Sequence, residues 1–175
     1  IKAARRVCGL PCHAHLMITK PDDYIERFAE AGCNTISVHV ETCVHAHRTL
    51  AQIRATGASP GIAINPATSL TKLDFLFDLA DRVLVMTVDP GYAGQKLIPN
   101  SFERVRILRE NITYREKAID IEVDGNINAR NAALLANAGA NLFVLGTSSI
   151  FKPGARLGEA LPAFREKVEL ERTQV

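Results

Sequence analysis

The residues of this chain that could do chemistry fall at the ends of short apolar runs. His13, His15 and Met17 alternate in the first run, Cys12–Ile18. Residues i, i+2 and i+4 of a strand share one face, so the three side chains point the same way. Later runs end in His39-Val40-Glu41, in Asn65, in Thr87-Val88-Asp89, in Glu122-Val123-Asp124 and in Gly146-Thr147-Ser148-Ser149. Imidazole with carboxylate suits a divalent metal ion, and His15 with Asp124 is the candidate pair. The plainer readings are a hydrogen-bonded core histidine and a turn-forming acid before Gly125. Two donors do not complete a metal centre, so further ligands are expected elsewhere. His45 and His47, at the head of a helix, read as solvated surface, and Met17 and Met86 as core.

Three of these ends are glycine-bearing: Gly91-Tyr92-Ala93-Gly94, Asp124-Gly125-Asn126 and Gly146-Thr147. Backbone N–H groups exposed in such turns form an anion nest, and a helix N-terminus after the last strand adds its dipole. Phosphate is the anion this arrangement suits. Taken singly, each glycine requires no more than a tight turn.

The elements that must position these residues alternate. Strands are expected over Cys12–Ile18, Thr35–Val40, Gly61–Asn65, Val83–Val88, Ala118–Val123 and Leu142–Leu145. Helices are expected from Pro21 through Ala31, over His45–Thr56, Ser69–Leu79, Ser101–Arg109, Asn128–Ala138 and Leu157–Glu171. Pro21 opens the first helix and Gly32 closes it, Gly57 closes the second, and Ser69 is a plausible N-cap of the third. Strands alternating with helices at this spacing imply parallel βαβ units, and strands apolar on both faces are buried parallel strands. An open doubly wound sheet and a (β/α)8 barrel both satisfy the pattern. No G-x-G-x-x-G follows the first strand, which disfavours a dinucleotide-binding sheet. A barrel needs eight units and about 200–250 residues, and six are present. The chain begins without Met, and two βα units ahead of Ile1 would resolve both points.

Composition bounds the rest. The chain has 175 residues, 47% hydrophobic and 23% charged, which fits one folded domain spanning 1–175 and excludes a disordered chain. A net charge of +2, no Trp and 6% aromatics give neither a basic face nor a stacking platform for nucleic acid. No apolar run nears the ~18 residues of a membrane span. Cys8, Cys12, Cys33 and Cys43 contain no C-x-x-C pair, and no apolar stretch follows the basic Ile1–Arg6 as in a secretion signal. Reduced thiols and a cytoplasmic location are expected.

The motifs, taken in order, resemble the ribulose-phosphate 3-epimerase family. The resemblance rests on His15-Leu16-Met17-Ile18 with Pro21 and Tyr24-Ile25, on Ala29-Glu30-Ala31-Gly32, and on Asn65-Pro66-Ala67-Thr68. It continues through Val85-Met86-Thr87-Val88-Asp89-Pro90-Gly91-Tyr92-Ala93-Gly94-Gln95, Ile121-Glu122-Val123-Asp124-Gly125, Ala138-Gly139-Ala140 and Gly146-Thr147. It covers roughly residues 10 to 165. The D-allulose 6-phosphate 3-epimerase branch is similar too, and Asp89 and Ala93 lean toward it.

The resemblance implies a TIM (β/α)8 barrel of the ribulose-phosphate-binding type, its first two βα units lying ahead of Ile1. It implies inversion at C3 of a ketose phosphate, D-ribulose 5-phosphate foremost, through a 2,3-enediolate, as in the pentose phosphate pathway. Two aspartates serve as acid and base and bind a divalent metal (Zn, Fe, Mn or Co) with two histidines. Asp124 is carried over as catalytic and metal-binding, and His15 as metal-binding and substrate-contacting. Gly91, Tyr92, Ala93, Gly94, Gly125, Asn126, Gly146 and Thr147 are carried over as substrate and phosphate contacts, and Met17 and Met86 as pocket-lining. A metal on the ketose oxygens stabilises the enolate as a Lewis acid, and Met offers a polarisable, non-acidic wall. The implied partner is a small sugar phosphate, with no nucleic acid or membrane, and a homo-oligomer is expected.

The sequence departs from the family at three places. The family's H-x-D-x-M-D-G motif, bearing the other aspartate and histidine, does not occur. His13 stands where the family has Asp, either supplementing the site or filling the barrel interior. Asn126 stands where the ribulose enzymes have a second Gly. A non-catalytic sugar-phosphate-binding barrel is the alternative from another class. A decarboxylase or aldolase is a third, and the lack of lysine at inner strand ends disfavours a Schiff-base aldolase.

Overall fold

A computed structural model describes residues 1–174. The elements are α1 (Lys2–Val7), β1 (His13–Leu16), α2 (Ile25–Glu30), β2 (Thr35–His39), α3 (Ala46–Ala55), β3 (Ser59–Ile64), β4 (Arg82–Met86), α4 (Ser101–Tyr114), β5 (Asp120–Asp124), α5 (Ala129–Asn137), β6 (Leu142–Phe143) and α6 (Leu157–Arg172), with short 3-10 turns at Pro21–Asp23 and Leu70–Leu73. The sheet has six strands in the order β1-β2-β3-β4-β5-β6. No helix among the described residues is long and apolar enough to cross a membrane.

The chain divides into two compact units, the first comprising Ile1–Ile64, Thr68–Leu84 and Lys117–Ile119. Within it β1, β2 and β3 pair in parallel, His15 opposite Ser37 and His39 opposite Ala63. Ile36, Val38, Ile62, Ala63 and Ile64 are fully buried, as β-branched runs covered on both faces should be. Ile25, Leu50 and Ile53 close over them from the helices.

The second unit comprises Asn65–Ala67, Val85–Glu116 and the chain from Asp120 onward. Here β5 and β6 pair in parallel, Glu122 opposite Leu142. Helix α4 buries Ser101, Val105, Leu108 and Ile112, one stripe at helical spacing, while Arg106 stays outside between Glu103 and Glu110. The buried stripe carries α4 to Tyr114, past the expected end at Arg109. The β6 strand is two residues long rather than four, and α1 was not anticipated.

One expected helix is not an α-helix. Ser69–Leu79 forms a single 3-10 turn, Leu70–Leu73, and then further turns. Leu73, Leu76, Phe77 and Ala80 are buried at helical spacing, but Asp74 bonds back to Thr71, Leu76 to Leu73 and Leu79 to Leu76. Those are i→i+3 bonds, which serve the same apolar spacing as an α-helix over so short a stretch.

Candidate functional site

In the first unit the strand histidines are held by one repeated diagonal. His13 Nε2 lies 2.8 Å from Ser37 Oγ, and His15 Nε2 lies 2.7 Å from His39 Nε2. Each β1 histidine thus meets the β2 residue two places beyond its register partner, on the same face. The His15 and His39 rings stack with centroids 4.9 Å apart and planes 20° from parallel. His39 is 3% exposed, and Glu41 Oε2 stands 3.4 Å from its Nδ1. Thr68 donates to the other oxygen of Glu41.

His13 turns to a different set of groups. Arg82 Nη1 approaches its Nδ1 at 3.3 Å, which together with Ser37 builds a polar layer at the N-terminal end of β1. This layer needs Gly61, because a Cβ there would lie 2.0 Å from Ser37 Oγ. Met17, expected in the core, is instead 58% exposed, because β1 ends one residue before it at Leu16. His45 and His47 are exposed, as expected of a helix head. Beside them, burial and then the nearby charges of Asp22 and Glu41 push the Cys43 thiol up to about 11, against the lowering effect of its bond from Thr49.

In the second unit Asp124 ends β5 on a turn fastened to the residue after β4. Thr87 N donates to Asp124 O at 2.8 Å, and Thr87 Oγ1 lies 3.0 Å from Asp124 O and 2.5 Å from Gly125 O. Gly125 has φ 123, and a Cβ there would stand 2.6 Å from Val88 Cγ2. Both the backbone region and the space therefore demand glycine. Asn126 follows at φ 51, a left-handed conformation that Asn tolerates. Its Nδ2 donates to Gln95 O at 2.6 Å, and its own carbonyls accept from Asn131.

The Gly91–Gly94 loop is exposed, with φ 137 at Gly91 and φ 87 at Gly94. Gln95 folds under it, its Nε2 donating to Asp89 O at 2.5 Å and Tyr92 O at 3.0 Å. Tyr92 is exposed, and Met86, the last residue of β4, is 3% exposed. After β6, the Gly146 carbonyl accepts the N–H groups of Ser149, Ile150 and Phe151, so the chain coils directly beyond Thr147.

The structure thus joins His15 to His39, and the Asp124-Gly125-Asn126 turn to Thr87 and Gln95. His39 and Glu41 were not among the candidates. Their signal was the H-x-E spacing, which puts both side chains on one strand face. An imidazole that binds a metal characteristically hands its second nitrogen to a fixed partner, and His15 Nε2 has such a neighbour in His39 Nε2. Among the described residues no group of three or more His, Cys, Asp or Glu could hold a metal ion.

The ribulose-phosphate 3-epimerase family pattern matches residues 1–151. The chain belongs to that family. It is similar to the ribulose-phosphate 3-epimerase of Aquifex aeolicus, 48% identical over 147 residues, covering 84% of this chain and 66% of that protein. The enzyme of the same name from Bacillus subtilis is 42% identical over 149 residues, covering 85% and 69%. The chain thus spans about two thirds of the length of these family members. Among solved structures, a tryptophan synthase alpha subunit from Pyrococcus furiosus aligns at TM-score 0.64 and 20% identity, over 99% of this chain and 71% of that one. That likeness, too distant to carry function, agrees with the family in placing the chain in the TIM-barrel α/β class.

Proposed function

We propose that this family member inverts C3 of a ketose phosphate, D-ribulose 5-phosphate, by removing and returning the C3 proton through a 2,3-enediolate. The observation that carries the reading is the fixed backbone at Asp124. A carboxylate that shuttles a proton must keep its place through both transfers. The Asp124 backbone is pinned by Thr87 on one side and by the braced Gly125-Asn126 turn on the other.

Asp124 takes or returns the proton on its face of the sugar. The opposite face needs a second acid–base group. The backbone N–H groups of Gly91–Gly94 and Gly146–Thr147 are the proposed phosphate donors. Met86 and Met17 are each proposed as a side chain that contacts substrate without offering a proton. A bound divalent ion, for which His15 and Asp124 are each a proposed donor, would supply Lewis-acid polarisation of the ketose oxygens. The substrate would be the chain's small-molecule partner.

The test is solvent exchange in D2O, with D-ribulose 5-phosphate and D-allulose 6-phosphate supplied together to the full-length protein in excess divalent metal. Deuterium at C3 of the pentulose, with its 3-epimer forming, is expected. Label in the hexulose instead would select the allulose branch that Asp89 and Ala93 favour. Label in neither, or an Asp124→Asn variant as active as wild type, overturns the reading.

A further inference from the structure

Cys12 and Cys33 bracket the segment that carries α2, and the fold brings their sulfurs to 3.9 Å. Cys12 precedes the His13–Thr35 register pair by one residue, and Cys33 precedes it by two. Three hydrogen bonds fix the approach. Cys12 N donates to Asn34 Oδ1 at 2.8 Å, and Cys12 O accepts from Asn34 N at 2.7 Å and from Thr35 N at 3.2 Å. Bonded sulfurs lie about 2.05 Å apart, so the pair has about 2 Å left to close. Both thiols are free, and they are unequal: Cys12 is half-buried and Cys33 is buried. Burial first, and then the neighbouring Cys12 thiol, push Cys33 up to about 11, so at neutral pH it holds its proton. A reagent in solution therefore meets Cys12 first.

We propose that Cys12 and Cys33 are a dithiol modification site, which a small-molecule disulfide oxidises to an intramolecular disulfide. The Cys12 thiolate attacks one sulfur of the reagent, whose S–S bond breaks and releases one thiolate. Cys12 is left in a mixed disulfide with the other half. Cys33 then gives up its proton, its sulfur attacks Cys12 Sγ, and the second half leaves as a thiolate. The two protons lost by the cysteines go to the two released thiolates. The protein thus loses two electrons and two protons, and the reagent gains both. The new bond closes a ring around α2, just ahead of the first residues of β1 and β2. Neither Asp124 nor a metal ion takes part.

The reduced full-length protein is treated with oxidised glutathione at pH 8, quenched with acid and N-ethylmaleimide, digested and mapped by mass spectrometry. Cys8 and Cys12 share one tryptic peptide, and Cys33 and Cys43 share the next, so fragmentation of the linked peptides places the bond. The expected product is a Cys12–Cys33 link within one chain, with the loss of two hydrogens, reversed by dithiothreitol. Cys33→Ala should stop at glutathione on Cys12, and Cys12→Ala should leave Cys33 without an adduct. Should either variant fail to fold, the wild-type map decides alone. Wild type that keeps glutathione on Cys12 without forming the link overturns the proposal. So does a bond that joins Cys8 to Cys12 or Cys33 to Cys43 instead, or a Cys12 that stays unmodified while the exposed Cys8 reacts. An adduct on Cys33 in Cys12→Ala overturns the order of attack.

Discussion

Thr87 Oγ1 lies 2.5 Å from the carbonyl of Gly125, so the residue that follows β4 fastens the turn that follows β5. Thr87 is fully buried and its backbone N–H adds a second tie, to Asp124 O. Thr87→Val keeps the shape and deletes the hydroxyl, leaving the Gly125 carbonyl short of a donor. A cost of about 1–3 kcal/mol is expected in urea unfolding. If Asp124 transfers the proton, kcat should fall more than KM changes, because the aim of the carboxylate is lost and the phosphate contacts are not. A variant with unchanged kcat would separate the turn from the chemistry.

Gly61 and Ser37 form a second fixed pair, since a Cβ on Gly61 would meet Ser37 Oγ at 2.0 Å. Gly61→Ala must displace Ser37 and with it the bond to His13. The expected destabilisation is about 1–3 kcal/mol, the usual range for overpacking. Adding Ser37→Gly makes room, so the double variant should be more stable than Gly61→Ala alone. Additive losses in denaturant titrations would contradict this.

The thiols predict an alkaline limit. Burial is the main cause that pushes Cys33 and Cys43 up to about 11 from an ordinary 9.0. A raised folded-state value means that the native protein holds its protons while the unfolded chain releases them. Stability from this source is intact below pH 9 and declines as pH rises from about 9 to 11. Replacing Cys43 by Ala should flatten the fall of Tm across that window. At pH 8, iodoacetamide should label the exposed Cys8 and leave Cys33 and Cys43 unmodified, as peptide mass mapping would report.

Which parts of this were legible in the sequence follows from how local each cause is. The β3 and β4 strands could be read because burial on both faces writes itself as an apolar run. Asp124 stood out because an acid between such a run and a glycine has few structural uses. The 69–79 segment could not be read correctly, since i→i+3 and i→i+4 winding share the same apolar spacing over two turns. The pairing of His15 with His39 was out of reach for another reason. It depends on the register of β1 against β2, and nothing in either strand alone states that stagger. His13 was ambiguous until Ser37 and Arg82 were seen to hold it.

Asn126 offers the most discriminating single change. It sits at φ 51, where Asn bears some strain, and its side chain ties the turn after Asp124 to Gln95 and Asn131. Asn126→Gly relieves the backbone and deletes the brace. The two effects oppose, each on the order of 1 kcal/mol, so global stability should move little. Asn126→Ala keeps the strain and deletes the brace, so it should be the less stable of the two. Both should speed amide hydrogen exchange in Gly91–Gln95, because Gln95 loses its tie to the turn. With the phosphate donors proposed to lie in that loop, KM should rise in both variants while kcat holds. Unchanged exchange in Gly91–Gln95 would show that Gln95 is held by its own bonds to Asp89 and Tyr92 alone.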